Sequence, residues 1–374
     1  MATTQPQGKR SKSTTNSSRK SATDRGKANG KASEQPARVE NDALVTFYQQ
    51  MVETRLFEDA AQRGFRTGKI GGYLHVYSGQ EAVAIGFLNE YREGDRVITA
   101  YRDHAHALLL GSDPKAVMAE LYGKGTGLVK GKGGSMHLFD VANGFMGGYG
   151  IVGGHIPLGV GMAYSLAYQE TGGIVQLFLG DGAIHNGAFH EAANLSGLWG
   201  REGLNPTLFI IENNQYGMGT SVERSTAMTD LGSKFDSYGI EHEKVDGMDL
   251  EAVLDCAHRA VERVRESGTP FAVEALTYRL VPHGAADFLE KYRTKEEVRE
   301  WRERDPIGLL EQVILDRKGA DEDQLKAIRD EAKARADEAV KFADESPEPD
   351  LAELTTDVYA GEMHVPAAGP GAGE

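Results

Sequence analysis

Two short apolar runs, each followed by a small polar cluster, constrain this chain more than any other feature. Val175-Gln-Leu-Phe-Leu179 runs into Gly180-Asp181-Gly182, and Thr207-Leu-Phe-Ile-Ile211 ends just before Asn213-Asn214. Both read as buried strands. The stretch between them, from about Ile184 to Trp199, has the length and spacing of a helix. A βαβ unit results, and its right-handed crossover brings the two strand ends side by side at the carboxyl edge of a parallel sheet. Ligands of α/β proteins bind at that edge. One carboxylate, one side-chain amide oxygen and backbone carbonyls there are hard oxygen donors, suited to a Mg²⁺ that keeps its other positions for a diphosphate. Gly-Asp-Gly by itself is most often a turn and Asn-Asn a loop; their conjunction with two strands and a crossover carries the reading. The fold class is therefore α/β, with a central, mainly parallel sheet flanked by helices.

Composition narrows the class further. The 56 acidic against 41 basic residues give a formal charge of -15, which excludes a nucleic-acid surface and favours a soluble body. The one cysteine, Cys256, excludes a disulfide framework and a Cys-based zinc site. No apolar run reaches the roughly 18 residues that span a bilayer. Residues 1–40 stand apart, with nine Lys or Arg and three Asp or Glu, and with almost no large apolar residue. Such a segment cannot offset its ordering entropy and is expected to be a disordered basic tail. Leu44, Phe47, Tyr48 and Met51 open the folded part at helical spacing. Asp321 to Asp344 reads as a late helix with Leu325, Ile328, Ala332, Val340 and Phe342 on its apolar side, stopped by Ser346-Pro-Glu-Pro349. The domain is expected over 41–350, with an extension over 351–374 that ends flexibly. No internal repeat stands out.

Several residues carry candidate chemistry. Tyr101 and Arg102 follow Val97-Ile98, where a loop leaves a strand, and an arginine there can pair with phosphate oxygens; alone, such a pair is surface decoration. Arg279 in Thr277-Tyr-Arg279 follows the strand Phe271 to Leu276 in the same way. Asn186 begins the crossover helix, where it can cap the helix, hold an anion, or do both. Gly182 and Ala183 are small enough for backbone to approach a phosphate. Gly148-Tyr-Gly-Ile-Val-Gly153 fits a dinucleotide pattern, which is set aside because Val141 to Met146 is not a convincing strand. The glycines from 125 to 134 make no P-loop, since no Gly-Lys pair precedes Ser or Thr.

Longer motifs identify a resemblance. Glu212-Asn-Asn-Gln-Tyr-Gly-Met-Gly-Thr-Ser-Val-Glu-Arg224 resembles the alpha subunits of the two-chain, thiamine diphosphate-dependent 2-oxoacid dehydrogenases, the family of pyruvate, branched-chain 2-oxoacid and acetoin dehydrogenases. Gly79-Gln-Glu-Ala82, Tyr101-Arg-Asp-His104, Gly131-Lys-Gly-Gly-Ser-Met-His137, Gly150-Ile-Val-Gly153, Val245-Asp-Gly-Met-Asp249 and Tyr292-Arg-Thr-Lys-Glu-Glu297 extend it in the same order. The resemblance implies the thiamine diphosphate-binding fold and oxidative decarboxylation of pyruvate, the branch that the Tyr216 to Arg224 stretch favours. By it, Asp181, Asn214 and the Tyr216 carbonyl hold Mg²⁺. Tyr101, Arg102, Gly182, Ala183, Asn186 and Arg279 hold the diphosphate, and Gly150 and Val152 the aminopyrimidine.

The same resemblance makes His283 the active-site histidine, with His75 and His104 as substrate-channel or diphosphate-side groups among eleven histidines. It also implies that a separate beta subunit supplies the carboxylate that activates the cofactor. An α₂β₂ assembly would then pass the acyl group to the lipoyl domain of a dihydrolipoyl acyltransferase. The expected location is the cytoplasm, or the mitochondrial matrix in a eukaryote. Where mitochondrial members carry His-Gly-His-Ser, this chain has Val281-Pro-His-Gly284, so the regulatory serine is a glycine and the second falls on Lys291. Ser221 matches a third such position. The altered loop leaves branched-chain 2-oxoacid or acetoin chemistry, or a noncatalytic assembly subunit, as alternatives.

Overall fold

Leu44, Phe47, Tyr48 and Met51 do begin a helix, which the computed structural model, describing residues 39–287 and 292–358, carries from Asn41 to Arg66. It runs past the expected turns because Val52, Phe57, Ala60 and Ala61 continue the buried stripe. Among the described residues, eight strands follow in chain order. They are β1 (Arg96–Ala100), β2 (Phe145–Tyr149), β3 (Val175–Gly180), β4 (Thr207–Asn213), β5 (Tyr216–Gly217), β6 (Thr220–Ser221), β7 (Glu241–Asp246) and β8 (Phe271–Leu276). Six form one sheet in the order β2-β1-β3-β4-β8-β7, every neighbouring pair parallel, while β5 and β6 make a separate hairpin. The expected α/β architecture is borne out.

Strand periodicity explains why the central strands are apolar on both faces over most of their length. Val175, Leu177 and Leu179 of β3 and Phe209 and Ile211 of β4 point into one core, with Phe189, Ala192 and Ala193 of the helix Gly187–Gly200 and Ile156 and Val160 of the helix His155–Tyr168. Phe178, Leu208 and Ile210 point into the other, with Val253, Ala257, Ala260 and Val264 of the helix Leu250–Ser267. Both faces are covered, so alternation of polar and apolar residues is lost. A third cluster joins Leu44, Tyr48 and Met51 to Leu310, Ile314 and Leu325 near the carboxyl end.

Three expectations change. The crossover helix starts at Gly187, preceded by one tight turn over Ala183–His185. A strand, β2, occupies Phe145–Tyr149, where two glycines and an edge position hide it from pattern reading. The late helix runs Glu322–Glu345 with a capping box between Asp321 and Gln324, but Phe342 is half exposed. The buried stripe is Leu325, Ala332, Ala336, Ala339 and Ala343, and Phe342 lies about 100° around the helix from Ala343. The start of the extension, 351–358, is held against the domain by Lys130 and Lys132, both reaching Glu353 and Asp357 at 2.9–3.2 Å. The basic tail over 1–38, Lys291 and the end over 359–374 lie outside the described residues. No helix among the described residues is long and apolar enough to cross a membrane.

Candidate functional site

The site follows from the strand order. From β1 the chain moves outward to β2 through the helices His104–Leu109 and Pro114–Leu121, whose Ala105, Ala107 and Val117 lie in one core. From β3 it moves the opposite way to β4 through Gly187–Gly200, in the other core. The carboxyl ends of β1 and β3 therefore diverge, leaving the crevice in which such sheets bind ligands. A cleft of about 360 Å³ opens there, lined by Tyr101 and Arg102 after β1, Asp181, Gly182 and Ala183 after β3, Glu212, Asn214 and Tyr216 from β4 onward, and Arg279 after β8.

Asp181 and Asn214 come together as the motif spacing predicts, since Gly180 pairs with Glu212 across β3 and β4. The oxygens expected to hold a metal converge on a cation that belongs to the protein. Arg279 Nη1 donates to Asn214 Oδ1 at 3.0 Å and to the Tyr216 carbonyl at 2.7 Å. Asp181 Oδ2 is buried without a partner. Burial pushes the Asp181 carboxyl up to about 6, against the pull of Arg279. Two neutral oxygens facing a positive group and a third, anionic one left unpaired make a donor set that fits a hard divalent ion. Among the described residues there is no group of three or more His, Cys, Asp or Glu placed to hold a metal; this set contains one carboxylate and is of a different kind.

The arginines fit an anion. Arg102 is buried, donates to the Val76 carbonyl at 2.5 Å and the His283 carbonyl at 3.1 Å, and is held below its usual pKa by burial and by Arg279. Two guanidinium groups repelling each other in one cleft are stabilised by a multiply charged anion such as a diphosphate. Arg279 presently serves carbonyl groups, those of Tyr216 and Met218, in addition to Asn214.

Histidines 75 and 283 also meet. Their rings lie 4.8 Å apart, and Tyr101 at the cleft wall is 4.5 Å from His75 and 5.7 Å from His283. Burial, reinforced by Arg102, lowers His75 to about 2 and His283 to about 3, so both are neutral imidazoles. His104 departs from expectation. It is fully buried outside the cleft lining, with Nδ1 2.7 Å from Glu58 and Nε2 2.9 Å from the Ser135 hydroxyl. Burial opposes its charge, but Glu58 outweighs this and raises its pKa. His104 thus fastens the segment carrying His137 and has no face on the cleft.

Gly150, Val152 and Asn186 have their polar groups engaged within the protein. The Gly150 amide donates to His137 Nε2 at 3.3 Å, and Asn186 Nδ2 donates to the Val152 carbonyl at 2.9 Å while its Oδ1 caps the helix at the Ala188 amide. Capping, one of the two readings of Asn186, is realised. Val141–Asn143 is a short 3₁₀ turn and β2 already contains Gly148, the first of the three glycines, so no strand precedes them and the ground for setting aside the dinucleotide pattern stands. Packing supplies a second one. A Cβ at Gly148 would overlap Asp103, at Gly150 would lie 2.9 Å from His137, and at Gly153 2.8 Å from Asn186. The glycines make room for the protein's own side chains.

Sequence reading assigned no role to two groups, Glu212 in the cleft lining and Gln80 behind Asn214. Glu212 is buried at the end of β4, accepts a hydrogen bond from Tyr77, and is pushed by burial up to about 7. A carboxylate closing an apolar strand beside Asn-Asn was its available signal. Gln80 accepts from Asn214 Nδ2 at 3.1 Å; the Gly79-Gln-Glu-Ala82 motif marks its place but not its partner.

A family model described as "Dehydrogenase E1 component" matches residues 48–352. The pyruvate dehydrogenase E1 component subunit alpha of Rickettsia felis is 48% identical over 318 residues, 85% of this chain and 96% of that protein. The Rhizobium meliloti protein of the same description is 43% identical over 312 residues, covering 83% and 88%. The mitochondrial one of Dictyostelium discoideum is 42% identical over 325 residues, covering 87% and 84%.

Proposed function

The chain belongs to the dehydrogenase E1 component family, and from that membership we propose that it is the alpha subunit of a pyruvate dehydrogenase, dependent on thiamine diphosphate and Mg²⁺. It works with a beta subunit in an α₂β₂ assembly, in the cytoplasm, and delivers an acetyl group to a lipoyl domain. Thiamine diphosphate, when bound, supplies the nucleophilic carbon and electron sink on which a 2-oxoacid loses CO₂. The observation that carries the reading is the convergence of Asn214 Oδ1 and the Tyr216 carbonyl on one cationic nitrogen beside the unpaired Asp181 carboxyl.

Asp181, Asn214 and Tyr216 hold the metal. Tyr101, Arg102 and Arg279 hold the diphosphate, with Gly182 and Ala183 giving the backbone close approach and Asn186 presenting the helix amino end. The Gly150 to Val152 turn borders the aminopyrimidine. His75 and His283, neutral at working pH, each offer one N–H and one lone pair to the substrate oxygens without fixed positive charge. The alternatives with branched-chain 2-oxoacids, acetoin or no turnover are not favoured by relatives described as pyruvate dehydrogenase subunits. Calorimetric titration of the chain with its beta partner should show Mg²⁺-dependent thiamine diphosphate binding, followed by turnover of pyruvate over 2-oxoisovalerate and acetoin. Absence of binding removes the cofactor assignment, and preference for another substrate reassigns the branch.

A further inference from the structure

Asparagine is an ambiguous ligand, since its amide presents oxygen or nitrogen to the same point by a half-turn, and only the oxygen can bind a metal. Here the orientation of Asn214 is fixed by its neighbours' chemistry. Arg279 Nη1 has donors only, so the Asn214 atom 3.0 Å from it is the oxygen. The amide nitrogen must then face the other way, where Gln80 Oε1 receives it at 3.1 Å. Resting on the metal reading above, we propose that Gln80 is a positioning residue for the Mg²⁺ site: it holds the Asn214 amide with its oxygen turned toward the ion.

The surroundings of Gln80 suit that task. Its side chain is fully buried, with Nε2 left without a partner among the described residues, so Asn214 is the contact of its amide, and its backbone amide donates to the Tyr77 carbonyl at 3.1 Å. Gly79, with φ +102°, lies so close to β8's exit that a Cβ would overlap the Tyr278 carbonyl, and Leu280 donates to the Ser78 carbonyl at 3.1 Å. Glu81 accepts from the Gly79 amide at 2.9 Å and is locked by Arg55, which also pairs with Asp305 at 2.9 Å. The turn 78–80 is thereby pinned beside Arg279. Each part of the Gly79-Gln-Glu motif acquires a role: the glycine allows close approach, the glutamine orients the ligand, and the glutamate locks the turn. Partners that orient ligands set metal affinity by roughly 10–100-fold.

The test uses the complex reconstituted with its beta subunit, saturated with thiamine diphosphate, and Mn²⁺ as the probe, with bound and free ion separated by electron paramagnetic resonance. Gln80→Met keeps volume and loses the oxygen acceptor; it should weaken Mn²⁺ binding roughly 10–100-fold with the thermal midpoint of the metal-free complex unchanged. Gln80→Glu keeps an acceptor and should bind at least as tightly as the unsubstituted complex. In an Asn214→Asp background either carboxylate oxygen can serve, so Gln80→Met should there cost less than about threefold, because orientation no longer matters. Equal losses in both backgrounds, or affinity within about twofold of normal for Gln80→Met alone, overturn the proposal. Should the methionine variant not assemble, Gln80→Glu decides, and a loss beyond about tenfold overturns it. If the unsubstituted complex binds no Mn²⁺, or Asp181→Ala leaves binding intact, the metal reading itself falls and takes this proposal with it.

Discussion

Asp181 is costly to the protein that carries it. A buried carboxyl with one oxygen unpartnered is destabilising, and a cation seated beside it would relieve that cost. Asp181→Ala should therefore weaken Mg²⁺-dependent thiamine diphosphate binding by more than about 100-fold. In the metal-free subunit it should leave the thermal midpoint equal or higher. Undiminished turnover, or a collapse of the metal-free fold, would contradict this account. His106 offers a residue-level test of electrostatics away from the cleft. It is fully buried, its ring 4.4 Å from Phe178 and 5.1 Å from Tyr77, and burial, with a smaller push from His104 against a backbone contact at Arg102, lowers it to about 3. Since its folded pKa lies below its unfolded one, near 6.5, the unfolded chain takes up the proton first. Stability from this group is present above pH 6.5 and is lost below it, at about 1.4 kcal/mol per unit down to pH 3. His106→Leu removes that slope. The variant should gain about 2 kcal/mol relative to the unsubstituted chain between pH 7 and 5 in paired denaturant titrations, and a constant difference would show that the imidazole does not titrate this way.

At the level of elements, the turn joining residues 78–80 to the exit of β8 is where two parts of the cleft are set at once. Gly79→Ala would place a Cβ against the Tyr278 carbonyl at a φ of +102°, so the turn must shift. The expected cost is about 1–3 kcal/mol of stability, together with weaker metal binding, because Gln80 and Arg279 move with it. Unfolding and Mn²⁺ titrations should change together; stability lost with affinity intact would detach the turn from the site. What could be read in advance divides at this scale. Strands β3, β4 and β8 were legible because each is buried on both faces and writes a mostly apolar run, interrupted only by Gln176 in β3 and Glu274 in β8, that ends where the candidate ligand groups begin. β2, Phe-Met-Gly-Gly-Tyr, and β7, Glu-His-Glu-Lys-Val-Asp, are edge strands whose glycines and charges mask them. Asp181 and Asn214 were legible for the same reason as their strands. Gln80 and Glu212 were not, because their partners lie 134 and 135 residues away and only folding pairs them. His104 misled because a histidine after Tyr-Arg-Asp reads alike whether it faces a cleft or, as here, a buried glutamate.

At the scale of the whole molecule, one face is left uncovered by the described residues. On the helices His155–Tyr168 and Gly187–Gly200 the exposed residues include Leu158, Gly161, Ser165, Tyr168, Leu195 and Leu198, and Glu191 alone among the exposed ones carries a full charge. In a chain with 26% charged residues this depletion is the compositional mark of an interface core. The face continues to the cleft mouth, where Ile151 is 75% exposed beside Val152, a lining residue of the cleft. A beta subunit seated there would bury the apolar helices and close the opening proposed for the cofactor. The double substitution Leu158→Glu and Leu198→Glu puts two charges into that surface without touching a cleft residue. The subunit should keep its fold, as judged by its far-ultraviolet dichroism and thermal midpoint, because both side chains already face solvent. Its association with the beta subunit, followed by sedimentation velocity, should weaken at least about 30-fold, the scale of losing a buried anchor. Thiamine diphosphate binding should fall with it at fixed subunit concentration and recover when the beta subunit is raised. If the variant assembles normally, the partner lies on another face and the apolar helices need a different occupant; if it fails to assemble yet binds cofactor normally, the opening at Ile151 is not one that the partner closes.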